Sequence, residues 1–204
     1  NPVIRILNST YPQINYNEAF LLKRNAELMM IEEHTTLIRD EAGSLTGVVL
    51  VFRDITERKQ SELGLIASET KYRNLFESMS QGVLYNDING DILSFNTAVC
   101  NIFEIKEDEL SQINIYDSKF KFFFEDGTEV PREKLPPYLA LKTGKEVKDV
   151  LLKIRFSRTG NEKWLTLSST PEYSSGNSKP FRIFTIISDI THVKNYEAEL
   201  KELN

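Results

Sequence analysis

Phe52-Arg53-Asp54-Ile55-Thr56-Glu57-Arg58-Lys59 returns, altered, as Ile187-Ser188-Asp189-Ile190-Thr191-His192-Val193-Lys194. The shared Asp-Ile-Thr recurs after 135 residues (189 − 54). Each copy closes an apolar run, Leu45 to Phe52 in the first and Phe181 to Ile187 in the second. Both runs are short and rich in β-branched and aromatic residues, which predicts strands. Each copy is followed by a polar stretch poor in glycine and proline, which predicts a helix. The repeated unit is therefore strand, Asp-Ile-Thr, helix. Thr56 and Thr191 stand where a helix N-cap belongs, so their hydroxyls are expected to accept a free backbone N–H. Glu57 falls in the first helical turn, where the helix dipole favours an anion. His192 takes that place in the second copy and adds less.

The first of these helices is predicted to run to about Met79. Leu65, Tyr72 and Met79 fall seven apart with Phe76 between, an apolar seam on one face interrupted by Ser68 and Glu69. Gly64 costs about 1 kcal/mol against alanine. At 1.5 Å per residue the helix would be about 35 Å long, a linker between two sheet units. The second helix carries Val193, Tyr196, Leu200 and Leu203, a heptad seam that serves either a coiled coil or packing on its own sheet.

Between the helices lies an ordered set of parts. Gly82 to Asp87 and Asp91 to Phe95 read as a hairpin turned by Ile88-Asn89-Gly90. Asn96 is placed to cap a helix from Thr97 to Phe103, with Ala98, Ile102 and Phe103 inward. Glu107 to Leu110 is a further helical turn, and Asp126-Gly127 a loop turn. Pro131 to Thr143 holds a short helix stopped by Gly144. Three strands follow, Val147 to Phe156, Lys163 to Thr170 and Phe181 to Ile187, joined at Thr159-Gly160-Asn161 and Ser174-Ser175-Gly176-Asn177. Two strands, short helices and three strands with hairpin connections predict an α+β architecture: one antiparallel sheet with its helices on one face.

Composition narrows the function classes. The 204 residues are 40% hydrophobic and 27% charged, a globular balance. A net charge of −5 from 25 basic and 30 acidic groups argues against nucleic-acid binding, which draws on clustered Lys and Arg. One cysteine, Cys100, permits no internal disulfide and fits a reducing, cytoplasmic compartment. No apolar run reaches about 18 residues, so no membrane contact is expected within the chain, although it can be the cytosolic part of a larger protein.

The ordered parts resemble the PAS family of sensory domains. Glu69-Thr70-Lys71-Tyr72-Arg73-Asn74-Leu75-Phe76-Glu77 is similar to the family's usual opening. Gly82-Val83, Asp91-Ile92-Leu93 and Phe95-Asn96 match its first hairpin and cap. Glu125-Asp126-Gly127, Leu135-Pro136 and Ala140 to Lys145 resemble its middle region, and Asp189-Ile190-Thr191 its exit. The first segment resembles the back half of the same fold. Asn1 is placed to cap a short helix with Pro2 at its first position, and strands read Ala19 to Leu22, Leu28 to Ile38 and Leu45 to Phe52. Half a PAS sheet leaves an open apolar face, so the chain is a fragment, is incompletely defined, or borrows strands from a partner.

The expected organisation is a PAS C-terminal half over 1–56, a linker helix over 57–79, a complete PAS domain with a five-stranded sheet over 80–191, and the start of an output helix over 192–204. The resemblance implies a sensory module that binds a small ligand or partner and relays the change through Asp54, Thr56, Asp189 and Thr191. Candidate pocket residues are Tyr85, Phe95, Phe103, Leu139, Ile154, Thr166, Ser168, Thr185 and Ile187, with a filled, ligand-free core as the alternative. A shift of one residue in sheet facing would exchange the inward set for the outward one. Phe120, Phe122, Phe123 and Phe124 are core packing or a pocket lid. The cofactor is unknown. A photoreactive flavin is not expected, because Ala98-Val99-Cys100-Asn101-Ile102 departs from the family's Gly-x-Asn-Cys-Arg-Phe-Leu-Gln pattern. Histidine-ligated haem is not expected either, because Pro131 to Thr143 holds no histidine. His34, His192 and Cys100 make no metal set. No catalytic constellation stands out, so any enzyme activity would lie outside the chain. The runner-up is a ligand-free homodimerisation or spacer module acting through the two helices. The third reading is a fragment of a sensor histidine kinase or cyclic-dinucleotide enzyme.

Overall fold

The structure is a computed structural model that describes residues 15–116, 120–156, 159–174, 176 and 178–202. The chain divides into two compact units, residues 1–72 and 73–204. The expected helix at Asn1 and Pro2, the seam position Leu203, and Ser175 and Asn177 of the last hairpin lie outside the described residues.

The first unit is an antiparallel sheet in the order β1 (Asn15–Leu22), β2 (Leu28–Arg39), β3 (Leu45–Asp54). Ser44 donates its N–H to the Asp40 carboxylate at 2.7 Å, closing the β2–β3 turn in which Gly43 takes φ 81°. The central strand alternates, burying Ile31, Glu33 and Thr35. Helix α1, Thr56–Ser78, has no buried residue, and Leu65 and Tyr72 of its seam are 71% and 60% exposed.

The second unit begins with β4 (Gly82–Asp87) and β5 (Ile92–Phe95), then α2 (Thr97–Phe103) and α3 (Glu107–Leu110). Strand β6 (Lys121–Phe123) follows, then a 3-10 turn (Arg132–Lys134) and α4 (Pro136–Thr143). Strands β7 (Val147–Arg155), β8 (Glu162–Tyr173) and β9 (Pro180–Asp189) lead into α5 (Thr191–Glu202). The sheet order is β5-β4-β9-β8-β7-β6. The last strand thus lies between the first hairpin and β8, and every pairing is antiparallel.

One expectation needs correction. The sheet has six strands rather than five, because Lys121–Phe123 of the aromatic cluster pairs with Lys153 to Arg155. The short helix expected within Pro131 to Thr143 is Pro136–Thr143, ending at Gly144; Leu135 before it is extended (ψ 136°) because a residue before proline is pushed out of the helical region. Pro136 then starts α4, where its missing N–H costs nothing.

The core lies between the sheet and the short helices. Leu84, Val99, Ile102, Phe103, Leu152, Ile154, Leu165, Leu167 and Ile187 are buried in one cluster. Gly90 shows why the first hairpin must turn on glycine. Its φ is 95°, and a Cβ there would lie 2.3 Å from Cδ2 of the Tyr116 ring.

Candidate functional site: an apolar cavity and two helix clamps

Period-two alternation turns Leu84 of β4, Leu167 of β8, and Thr185 and Ile187 of β9 to the helix side of the sheet. With Ile92, Phe103, Leu110, Ile113, Ile115, Phe120, Phe122, Leu135 and Pro137 they enclose a cavity of about 60 Å³. Thr185 is the one lining residue with a polar side chain. Its hydroxyl is 2.9 Å from that of Ser169, a buried pair that satisfies itself across β8 and β9. Ligand pockets for drug-sized molecules run to about 300–1,000 Å³. The cavity in this structure is smaller than that range. An open cleft of about 510 Å³ adjoins, lined by Tyr116, Lys121, Glu129 and Arg132 among others. Ile115, Phe120, Phe122 and Leu135 line both spaces and so form the wall between them.

The nine candidate pocket residues divide. Phe103, Thr185 and Ile187 line the cavity. Ile154 is fully buried in the same core and Phe95 packs against it, but neither lines the cavity. Leu139 is half-buried on α4 outside the lining. Tyr85, Thr166 and Ser168 face the other side of the sheet. The Tyr85 ring lies 5.0 Å from that of Phe184, tilted by 39°, beneath the Arg182 guanidinium. The Ser168 hydroxyl accepts the N–H of Asp149 at 2.9 Å. On β8 the inward residues are Leu165, Leu167 and Ser169, one step out of phase with the expected pair. The regular alternation of Leu165 and Leu167 is the sequence signal for this facing. Phe120 and Phe122 belong to the site as lining, with Phe120 4.9 Å from Phe103.

Two buried polar atoms beside this core, Oδ1 of Asn86 and the hydroxyl of Tyr116, make no well-formed hydrogen bond among the described residues. Burial pushes the Tyr116 phenol up to about 12, against the opposing pull of Arg132. The Arg132 guanidinium lies 4.8 Å from the Tyr116 ring centre.

The repeated Asp-Ile-Thr builds the same clamp twice. At the end of β9, Asp189 accepts the N–H of Thr191 at 2.9 Å. The Thr191 hydroxyl accepts the N–H of Trp164 at 2.9 Å, and the Trp164 carbonyl accepts the N–H of Ile190 at 2.8 Å. At the end of β3, Asp54 accepts the N–H of Thr56 at 2.9 Å. The Thr56 hydroxyl accepts the N–H of Met30 at 2.9 Å, and the Met30 carbonyl that of Ile55 at 2.9 Å. The hydrogen bonds from Thr56 hold the Asp54 carboxyl below its usual range. The expectation that each threonine hydroxyl caps its own helix is corrected: it grips the neighbouring strand, and the aspartate serves the helix.

The incoming end of the second unit is also tied. Asn96 is fully buried, and its Oδ1 accepts the N–H of Val83 at 2.9 Å. Its Nδ2 donates to the carbonyls of Phe76 and Gln81, each at 2.9 Å. The expected side-chain cap by Asn96 is therefore not made. Glu77 caps α2 instead, accepting the N–H of Thr97 at 3.0 Å and its hydroxyl at 2.8 Å. Gln81 donates to the Ser188 hydroxyl at 2.9 Å, so the incoming and outgoing segments meet beside Asp189.

Cys100 is half-buried on α2 against the core, and burial raises its thiol pKa. Nε2 of His34 lies 3.9 Å from Glu32, and His192 stacks 5.4 Å from Tyr196. No helix among the described residues is long and apolar enough to cross a membrane.

A sheet of this order, wrapped over a small cavity with its short helices on one face, defines an α+β domain. The chain belongs to the PAS family: the family model described as PAS fold matches residues 70–190. A second, described as PAS domain, matches residues 7–57. Sporulation kinase E of Bacillus subtilis (strain 168) is 26% identical over 151 residues, covering 74% of this chain and 19% of that protein. Sensor protein TdiS of Thauera aromatica is 29% identical over 133 residues, covering 65% of this chain and 23% of its own length. The chain thus spans about a fifth of these relatives. Among solved structures, the PAS domain of an HTR-like protein from Haloarcula marismortui aligns with TM-score 0.46 at 17% identity. That alignment covers 65% of this chain and 99% of the other.

Proposed function

We propose that the chain is a cytoplasmic sensory segment of a signal-transduction protein, in which the second unit takes a small, mostly apolar ligand. The observation that carries this is the course of β9. Thr185 and Ile187 line the cavity, and within two residues the same strand enters the Asp189–Thr191 clamp that starts α5. A ligand that spreads the sheet displaces this strand end, and α5 follows. The effect requires that the ligand bind the displaced and resting states with different affinity. Phe120 and Phe122, in the wall between cavity and cleft, give the ligand its way in. Catalytic output, in this reading, belongs to other parts of the protein, as the sensor proteins among the relatives suggest. Isothermal titration against short-chain alcohols, ketones and carboxylic acids tests the reading. Saturable binding that is lost in Leu167→Trp supports it; no heat from any of them rejects it.

A homodimer through the helices is the second reading, supported by exposed apolar side chains. Val193, Tyr196 and Leu200 are each more than half exposed on α5. Under this reading Tyr196→Lys with Leu200→Lys halves the mass in light scattering, and an unchanged mass rejects it.

A further inference from the structure

Arg132 opens the 3-10 turn that leads towards α4, and it lines the open cleft of about 510 Å³ beside the cavity. Its guanidinium lies 4.8 Å from the centre of the Tyr116 ring and 5.9 Å from that of Tyr138. The two rings meet edge to face, 5.5 Å apart at 83°. Three segments, the stretch before β6, the 3-10 turn and α4, thus build one seat for a cation. Stacking engages the face of a guanidinium and leaves the five N–H groups of its edge to donate in a planar fork. Among the described residues the Arg132 side chain is engaged by these two rings and makes no ion pair or hydrogen bond.

The cleft around this fork suits an amphipathic anion. Its other two charged lining residues, Lys121 and Glu129, lie 3.5 Å apart and offset one another. Arg132 therefore leaves the lining with one net positive charge, on a chain whose net charge is −5. Ile115, Phe120, Phe122, Val130 and Leu135 make much of the remaining lining apolar. Unlike the cavity, the cleft falls within the range of about 300–1,000 Å³ found for sites of drug-sized ligands. A guanidinium fork matches the two oxygens of a carboxylate, and such charged pairs are the stronger hydrogen bonds.

Given the ligand-binding reading of the second unit, on which this site rests, we propose that the cleft binds an organic monocarboxylate. The carboxylate meets the Arg132 guanidinium, and the hydrocarbon body lies along Phe120, Phe122 and Leu135. Isothermal titration of the intact protein with octanoate and 3-phenylpropanoate tests this, with 1-octanol and inorganic phosphate as controls. Wild type binds at least one of the carboxylates, and more tightly than either control. Arg132→Gln weakens that binding by about 10-fold or more, as expected when a charged hydrogen-bonding partner is removed. Arg132→Lys, which keeps the charge without the fork, falls between the two. Leu167→Trp, which fills the cavity rather than the cleft, leaves carboxylate binding in place. Arg132 is exposed, and circular dichroism checks that its variants fold. Should Arg132→Gln not fold, Arg132→Lys supplies the comparison. Equal binding by wild type and the Arg132 variants overturns the site. Carboxylate binding lost in Leu167→Trp but kept in Arg132→Gln also overturns it, and leaves the cavity reading standing. Tighter binding of phosphate than of either carboxylate overturns the monocarboxylate assignment. Failure of both carboxylates to bind overturns the site as well; the ligand-binding reading itself falls only if the short-chain titrations are silent too.

Discussion

The hydroxyl of Thr191, the first residue of the last helix, accepts the backbone N–H of Trp164 in the neighbouring strand at 2.9 Å. The helix is thereby fastened to β8 as well as continuing β9. Lys194 on the next turn strengthens the tie, reaching Glu125 at 3.3 Å and lying 5.7 Å from the Trp164 ring. The start of α5 is thus held by hydrogen bonds at the two central strands of the sheet.

Thr191→Val keeps the shape of the side chain and removes the acceptor, leaving the Trp164 N–H unpaired. A loss of about 1–3 kcal/mol in urea unfolding is expected. Thr191→Ser keeps most of the stability. Trp164, the single tryptophan, reports the change by fluorescence.

Asn96 joins three stretches of backbone through one fully buried amide. Asn96→Ala strands the N–H of Val83 and two carbonyls, and should cost about 2–4 kcal/mol. Glu77→Gln weakens only the exposed cap of α2 and should cost under about 1 kcal/mol. Equal losses from the two would contradict this division.

Ser169 and Thr185 satisfy each other at the cavity floor. Ser169→Ala or Thr185→Val alone leaves one buried hydroxyl unpaired, at about 1–3 kcal/mol each. The double variant should be closer to wild type than the sum of the singles. A double-mutant cycle measures the difference, and strict additivity would deny the coupling.

Tyr116 has its phenol raised to about 12 in the folded state by burial. An unfolded tyrosine titrates near 10. The folded protein therefore holds this proton more tightly. Its contribution to stability is complete below about pH 10 and is lost as pH rises towards 12. Unfolding midpoints measured from pH 8 to pH 12 should fall less steeply in Tyr116→Phe than in wild type.

Gly90→Ala meets both a positive φ and a Tyr116 ring atom at 2.3 Å. Gly160→Ala meets a positive φ and nothing within 4 Å. The first should cost clearly more than the second, for which about 1 kcal/mol is expected. Thermal melts of the two variants give the comparison.

Much of this architecture was legible in the residues themselves. Short runs rich in β-branched and aromatic residues located β2, β3 and β7 to β9 within a few residues of their ends, because such side chains suit a pleated strand. Asn89-Gly90 and Gly144 marked a turn and a helix stop, because those backbone angles exclude most side chains. Asp-Ile-Thr marked both strand-to-helix junctions, because an Asp-x-Thr turn is closed by the aspartate itself. β6 escaped notice, because three residues carry too little periodicity to stand out from an aromatic cluster.

Local pattern therefore settled most of the strands and helices, with β6 missed and β1 expected four residues too short. Tertiary structure alone decided which face of β4 and β8 turns inward, sending Tyr85, Thr166 and Ser168 away from the cavity and Leu167 into it. It also decided that Asn96 binds three distant backbone groups. The reason is physical: turns and periodicity depend on neighbours along the chain, whereas facing and burial depend on strands brought together from far apart in it.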